Sequence, residues 1–121
     1  MRQGIYPVGI LLVSLLMVSC ATTQSRHVLL GQTYPARAED CRIEIFKGGG
    51  PSREFIKISR LDVHIEKTHF IQSGFETALP ELKKQACLSG ADAMIDVQEQ
   101  FSSHMETRIY HVTATGIKYK Q

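Results

Sequence analysis

The sequence lacks the short motifs by which several classes of active site are recognised. It has neither G-x-x-x-x-G-K-[ST] nor G-x-G-x-x-G spacing, although the stretch 47–52 (KGGGPS) is rich in glycine, so we expect no nucleotide site there. It also has no G-x-S-x-G elbow for a nucleophilic serine and no C-x-x-C pair for thiol chemistry. The sequence therefore predicts no catalytic residue and no enzyme activity.

The chain also lacks a strong charge of either sign. It contains 14 Lys and Arg against 12 Asp and Glu. Residues 1–19 contain one charge, Arg2, and without them the balance is 13 basic against 12 acidic residues. Domains that bind nucleic acid usually have a marked basic excess on one face. We therefore expect no nucleic-acid partner.

Five histidines are present, but no H-x-x-x-H spacing unites any of them. His64 and His69 lie near the end of a predicted strand, His104 lies in a predicted turn, and His111 lies in the following strand. His111 would approach His64 if their two strands pair. Histidines exposed on strands are the simplest interpretation, so the sequence predicts no metal ligand and no cofactor.

No apolar run reaches the roughly 20 residues that a membrane-spanning helix requires. The run at 8–18 is interrupted only by Gly9 and Ser14 and follows a single positive charge at Arg2. A short cationic start, an apolar segment of about 7–15 residues and small residues after it are typical of a secretory signal peptide. We therefore assign residues 1–19 to a signal peptide and exclude them from the fold.

The residues around the first cysteine resemble the lipobox of bacterial lipoproteins. Met17, Val18 and Ser19 precede Cys20, and the family places an aliphatic, a small or β-branched and a small residue there, with Leu usual where Met17 stands. The resemblance implies cleavage before Cys20 and its modification by a diacylglyceryl thioether and an amide-linked acyl chain such as palmitate. Three chains, at about 0.8 kcal/mol per buried methylene, make a permanent membrane anchor. Ala21 after the cysteine implies, by the same resemblance, sorting to the outer membrane.

An ordinary cleaved signal followed by an incidental cysteine is the alternative. If Cys20 carries lipid, Cys41 and Cys87 remain as a pair in an oxidising compartment. A disulfide between them would close a loop of 87 − 41 + 1 = 47 residues, worth about 4 kcal/mol by the chain-entropy estimate. That is substantial for a small domain. Two buried, reduced thiols are the alternative here.

The composition divides the rest of the chain into a tether and a domain. Residues 20–39 are expected to be the lipidated cysteine and a flexible tether, because Thr, Gln, Ser, Gly and Pro are frequent there, although 28–30 are apolar enough to dock on the domain. Residues 40–121 are expected to form one α+β domain. Alternation of apolar and polar residues predicts four strands, which are 41–46, 54–67, 93–101 and 107–119.

The second predicted strand contains an irregularity, because its apolar residues change parity near Ser59 and Arg60. A β-bulge would absorb the extra residue. The last two strands are expected to form a hairpin through 102–106. The expected order is β-β-α-β-β, in which one helix covers one face of a small, antiparallel-rich sheet.

The helix is expected between residues 73 and 90. Pro80 argues against a start at Ser73, so we favour a helix from about 77 to 89 that stops at Gly90. One stripe is apolar and the opposite side polar. The stripe consists of Phe75, Leu79, Leu82 and Ala86, and the residues expected to face away are Glu81, Lys84 and Gln85.

The stretch 86–97 (ACLSGADAMIDV), where a helix ends at Gly and a strand begins, resembles a corner in small bacterial lipoproteins. These are the relatives of the sensor lipoprotein of the Rcs phosphorelay and the YbjQ-like domains, and the resemblance covers roughly 40–119. It implies a periplasm-facing, non-catalytic domain with a small sheet and a stabilising disulfide. The chain differs from the Rcs sensor in lacking its long Pro-rich tether and its second disulfide.

These features together predict a lipoprotein of the outer membrane that faces the periplasm and is held by lipid on Cys20. We expect it to act without catalysis, through contacts with an envelope protein, in envelope maintenance or stress sensing. The alternative is a periplasmic module that binds a metal or a small ligand.

Overall fold

The computed structural model describes residues 22–68 and 74–121, which form a five-stranded sheet with one helix packed on it. The sheet order is β1-β3-β5-β4-β2; β2 runs parallel to β4, and the other neighbours are antiparallel. The predicted α+β class is therefore confirmed, whereas the expected order β-β-α-β-β was wrong, because an additional strand precedes the two expected before the helix. The predicted signal peptide, Cys20 and His69 lie outside the described residues. The elements are β1 (Thr22–Leu29), β2 (Glu44–Ile45), β3 (Phe55–Thr68), α1 (Phe75–Leu88), β4 (Ala93–His104) and β5 (Thr107–Tyr119).

The segment that we expected to be a flexible tether is part of the folded domain. Its residues Thr22–Leu29 form β1, which pairs antiparallel with β3 along its whole length of eight residues. The following stretch crosses the end of the helix, where the Arg37 amide donates to the Cys87 carbonyl at 2.8 Å. The tether interpretation was wrong for 22–39. Amino-acid composition does not show that the polar side chains of an edge strand can bond to neighbouring elements.

The first predicted strand, 41–46, is much shorter than expected. Only Glu44–Ile45 pair with another strand, in parallel with Ala93 and Met94. The alternation within this stretch is nevertheless visible in the structure, because Ile43 is buried whereas Arg42 and Glu44 are exposed.

The predicted irregularity in β3 is confirmed as a bulge. The pairing of β3 with β5 shifts between Lys57 and Ser59, slightly before the expected position. A second bulge, which the apolar pattern does not predict, lies in β4 between Ile95 and Gln98, where Asp96 has a φ of +54°. The β4 bulge separates Ile95 from Val97, and these two residues pack in two different buried clusters.

The helix begins earlier than predicted. It starts at Phe75 after the N-cap residue Gly74, so Pro80 lies inside it rather than in its first turn. Pro80 donates no backbone hydrogen bond, and the helix continues past it with Ala78 and Leu82 fully buried against the sheet. The predicted stop at Gly90 is confirmed: its φ is +86°, and its amide donates to the Cys87 carbonyl at 3.0 Å.

The main core lies between the helix and one face of the sheet, and it is built from the alternate residues of β3 and β5. Its largest fully buried side chains include Leu61, Ile65, Leu82 and Tyr110. A smaller cluster of buried residues around Ile95 is separate from the main core and is covered by partly buried aromatic rings. In the part of the chain that the structure describes, no helix is long and apolar enough to cross a bilayer.

Candidate functional site

The disulfide that the cysteine count predicted is present in the structure. Cys41 and Cys87 are bonded, with their Cα atoms 5.9 Å apart. The bond joins the end of the helix to the segment that leads into β2, and Cys87 is fully buried. This cystine is therefore a structural element and not an exposed redox centre.

A chain of polar side chains joins β1 to the helix. His27 Nδ1 donates to Gln85 Oε1 at 2.7 Å, and Gln85 Nε2 donates to the Ser25 hydroxyl at 3.0 Å. That hydroxyl donates to Glu81 Oε2 at 2.7 Å. Gln85 is only 8 % exposed, so the expectation that Glu81 and Gln85 face away from the sheet was wrong. Glu81 and Gln85 lie four residues apart on the helix, and this spacing places them against Ser25 and His27, which are alternate residues of β1.

The face of the sheet away from the helix is polar over most of its area, and it carries the two histidines that we expected to meet. His64 pairs with His111 across β3 and β5, and their ring centroids lie 5.6 Å apart at an interplanar angle of 63°. His111 Nε2 donates to Asp62 at 2.7 Å, and His64 Nε2 donates to Glu66 at 3.0 Å. Each imidazole thus has a carboxylate partner on its own face.

Asp62 also attracts Arg26 of β1, whose guanidinium lies 3.7 Å from the carboxylate. This cluster lines an open depression on the polar face, and a second depression continues from His111 across β4. Within the described ranges 22–68 and 74–121, no group of three or more His, Cys, Asp or Glu side chains is placed to hold a metal ion. The polar side chains of this face are partly open to solvent and bonded to one another.

Apart from the short strand β2, two sides of the described strands have no neighbouring strand: the outer side of β1, and the outer side of β4 beyond its short pairing with β2. The β4 edge is the one with a large exposed aromatic side chain beside it. β2 pairs only with Ala93 and Met94, and among the described residues no strand lies beside 96–104 on that side. Most of this segment is exposed. A row of unpaired backbone amides and carbonyls can accept a further strand from another chain.

One aromatic side chain stands out beside that edge. Phe101 is 67 % exposed, and its ring lies 4.9 Å from that of Tyr110. The Tyr110 hydroxyl donates to Glu99 at 2.8 Å. Burial, and secondarily the Glu99 carboxylate, raises the pKa of Tyr110, so this hydroxyl keeps its proton and fixes Glu99 over the strand.

Comparison of the chain with family models, with curated proteins and with solved structures finds no match. The surfaces are therefore interpreted from their geometry. Of the residues that we considered as candidates from the sequence, the structure joins Cys41 to Cys87 and places His64 beside His111. The β4 edge and the β1–helix chain of side chains were missed. Periodicity indicates which residues face a core, whereas both of these features depend on which strands become neighbours.

Proposed function

We propose that the protein is an envelope lipoprotein, anchored through acylated Cys20 in the outer membrane and facing the periplasm, and that its domain binds another envelope protein in envelope maintenance or stress sensing. The support for the anchor is the sequence 17–20 and the apolar leader before it. A disulfide-bonded domain is compatible with export to an oxidising compartment.

The observation that carries the binding part of the proposal is the unpaired outer edge of β4. Natural edge strands are usually protected by lysine, proline or a covering segment. The stretch 97–104 (VQEQFSSH) contains neither lysine nor proline, and the β4 bulge lies at its start rather than along it. Phe101 supplies an exposed aromatic ring at its side, the kind of residue that anchors protein interfaces.

This geometry favours a partner that contributes an extended segment as a sixth strand. Main-chain hydrogen bonds would then supply affinity, and contacts with the side chains of β4 would supply specificity. The alternative of a module for a metal or a small ligand has its best support in the His64 and His111 pair, but both imidazoles are already bonded to carboxylates. We therefore prefer the protein partner.

The experiment that tests this proposal is photo-crosslinking in cells. A photoreactive residue replaces Gln100, which is exposed on β4, or, as the matched control, Ser52, which is exposed in the loop before β3. Each variant is made with Cys20 intact and with Cys20→Ser. We expect the protein with Cys20 to sediment with membranes and to crosslink to a discrete protein from Gln100 but not from Ser52.

The two parts of the proposal fail separately. Cys20→Ser is expected to move the protein to the soluble periplasmic fraction, and continued sedimentation with membranes would contradict the anchor. Equal crosslinking from Gln100 and Ser52, or none from either, would contradict the β4 edge as the binding surface. Mass spectrometry of the mature N-terminus reports the acyl chains directly.

A further inference from the structure

The hairpin between β4 and β5 and the beginning of β1 lie at the same end of the sheet. Thr22 pairs with Glu66, and the same rung continues through Ile109 to Ser102. Only two further pairs separate this rung from the turn of the hairpin. The first described residue of the domain and the hairpin turn therefore project in the same direction along the strands.

The length of chain between Cys20 and the sheet is very short. Cys20 precedes Thr22 by two positions, which span at most about 7 Å. The two remaining pairs of the hairpin extend beyond the Thr22 rung by a similar distance, about 7 Å. A bilayer that takes up acyl chains on Cys20 consequently lies close to the level of the hairpin turn.

The residue at that turn is not one that the turn itself favours. Met105 has a φ of +55°, a conformation for which two-residue hairpins normally select Asn, Asp or Gly. Its side chain is 88 % exposed, so it contributes little to the core. Neither the turn conformation nor packing within the described domain therefore accounts for a methionine at this position.

The residues behind Met105 are suited to a membrane surface. Lys67 and Arg108 pair across β3 and β5, one step from the end of the hairpin ladder. Two cations next to a projecting apolar side chain match the interface of a bilayer, where the apolar group enters the acyl boundary and the cations meet anionic headgroups. Glu106 is the only acidic residue between His104 and Arg108.

From this placement we propose that the hairpin tip rests on the bilayer that holds Cys20, with Met105 inserted at the level of the lipid headgroups. The proposal rests on the proposed lipidation of Cys20 and adds an orientation to it. The strands then stand at a steep angle to the membrane, and the outer edge of β4 runs away from the lipid surface toward the periplasm.

The test uses the absence of tryptophan from the chain. Met105→Trp introduces a single tryptophan fluorophore at the tip. Ser52→Trp introduces one at the opposite end of the sheet and is the matched control, because the added tryptophan side chain has the same intrinsic affinity for lipid. The full lipidated proteins are reconstituted into vesicles of phosphatidylethanolamine and phosphatidylglycerol, with and without brominated acyl chains. Emission, quenching and flotation of the vesicles are measured on the same samples.

We expect Met105→Trp to show a blue-shifted emission and several-fold stronger quenching by brominated lipid than Ser52→Trp. Equal, weak quenching of both variants in protein that floats with the vesicles would overturn the orientation but leave the anchor intact. Protein that does not float would overturn the anchor as well. A blue shift of Met105→Trp without vesicles that grows with protein concentration would assign the tip to a second copy of the chain, which also overturns the proposal.

Discussion

Gly116 of β5 lies where three segments of the chain meet at close range. A Cβ at this position would collide with the hydroxyl of Ser59 and would lie 3.2 Å from the Cβ of Ala91. The Ser59 hydroxyl cannot easily move, because it is buried and lies 2.9 Å from that of Ser89. The Ser89 hydroxyl in turn donates to the Ala86 carbonyl at 2.8 Å, so the helix end, β3 and β5 share one small polar contact.

Gly116→Ala is therefore expected to lower the free energy of unfolding by about 1–3 kcal/mol, the usual cost of overpacking. In a Ser59→Ala background the same change is expected to cost less, because the colliding oxygen is gone. Urea unfolding of both single variants and the double variant measures this coupling. Gly48→Ala is the control, since nothing lies within 4 Å of a Cβ there. Additive losses at Gly116 and Ser59 would contradict the collision.

At the scale of elements, the end of the helix is the point at which the most distant segments are joined. The disulfide holds it to the approach to β2. Arg37 reaches it from the segment after β1, donating to the Ala91 carbonyl at 2.7 Å and lying 3.6 Å from Asp92. Gly90 allows this approach, because a Cβ there would lie 2.8 Å from the carbonyl oxygen of Pro35.

Cys41→Ser and Cys87→Ser are each expected to lower the free energy of unfolding by about 4 kcal/mol, because either change releases the 47-residue loop (87 − 41 + 1 = 47) in the unfolded chain. The double variant should lose no more than either single one. Guanidinium unfolding with and without a reductant measures this. The reductant should destabilise the wild type to the level of the variants and leave the variants unchanged; additive losses in the double variant would contradict the prediction.

The sequence predicted the elements whose patterns are local. Alternation of apolar and polar residues predicted the long strand β3 and the β4–β5 hairpin, and a change of parity predicted the bulge in β3. A glycine, which tolerates a positive φ, predicted the end of the helix at Gly90. The start of the helix was placed too late because Pro80 outweighed Phe75, which packs against the core once the sheet is formed. The strand β1 was missed because its core-facing residues Ser25 and His27 are polar, and their partners are helix residues far along the chain.

At the scale of the whole molecule, the domain includes β1 and the segment after it and does not start near residue 40. Two independent attachments show this: the ladder between β1 and β3, and the contacts of Tyr34 and Arg37 with the helix end and the core. The candidate binding surface also depends on which strands become neighbours. The β4 edge could not be found from sequence, because an edge exists only relative to the completed order of strands.

A chain that starts at residue 40 is expected to lose most of its stability compared with one that starts at residue 22. Each lost ladder hydrogen bond costs about 0.5–1.5 kcal/mol, and a domain of this size has only about 5–15 kcal/mol in total. Thermal unfolding followed by circular dichroism should show a cooperative transition for the longer chain and a broad or absent one for the shorter. Equal midpoints would restore the tether interpretation of 22–39.

The two-residue turn between β4 and β5 has a kinetic consequence. Among the described strands, these two are the only partners that are also adjacent in the chain, whereas β1 must find β3 across residues 30–54 and the parallel pair encloses the helix. Loop closure is cheapest for the hairpin. Folding is therefore expected to start from β4 and β5, so a polypeptide that emerges amino terminus first stays unfolded until residues 93–119 have been released.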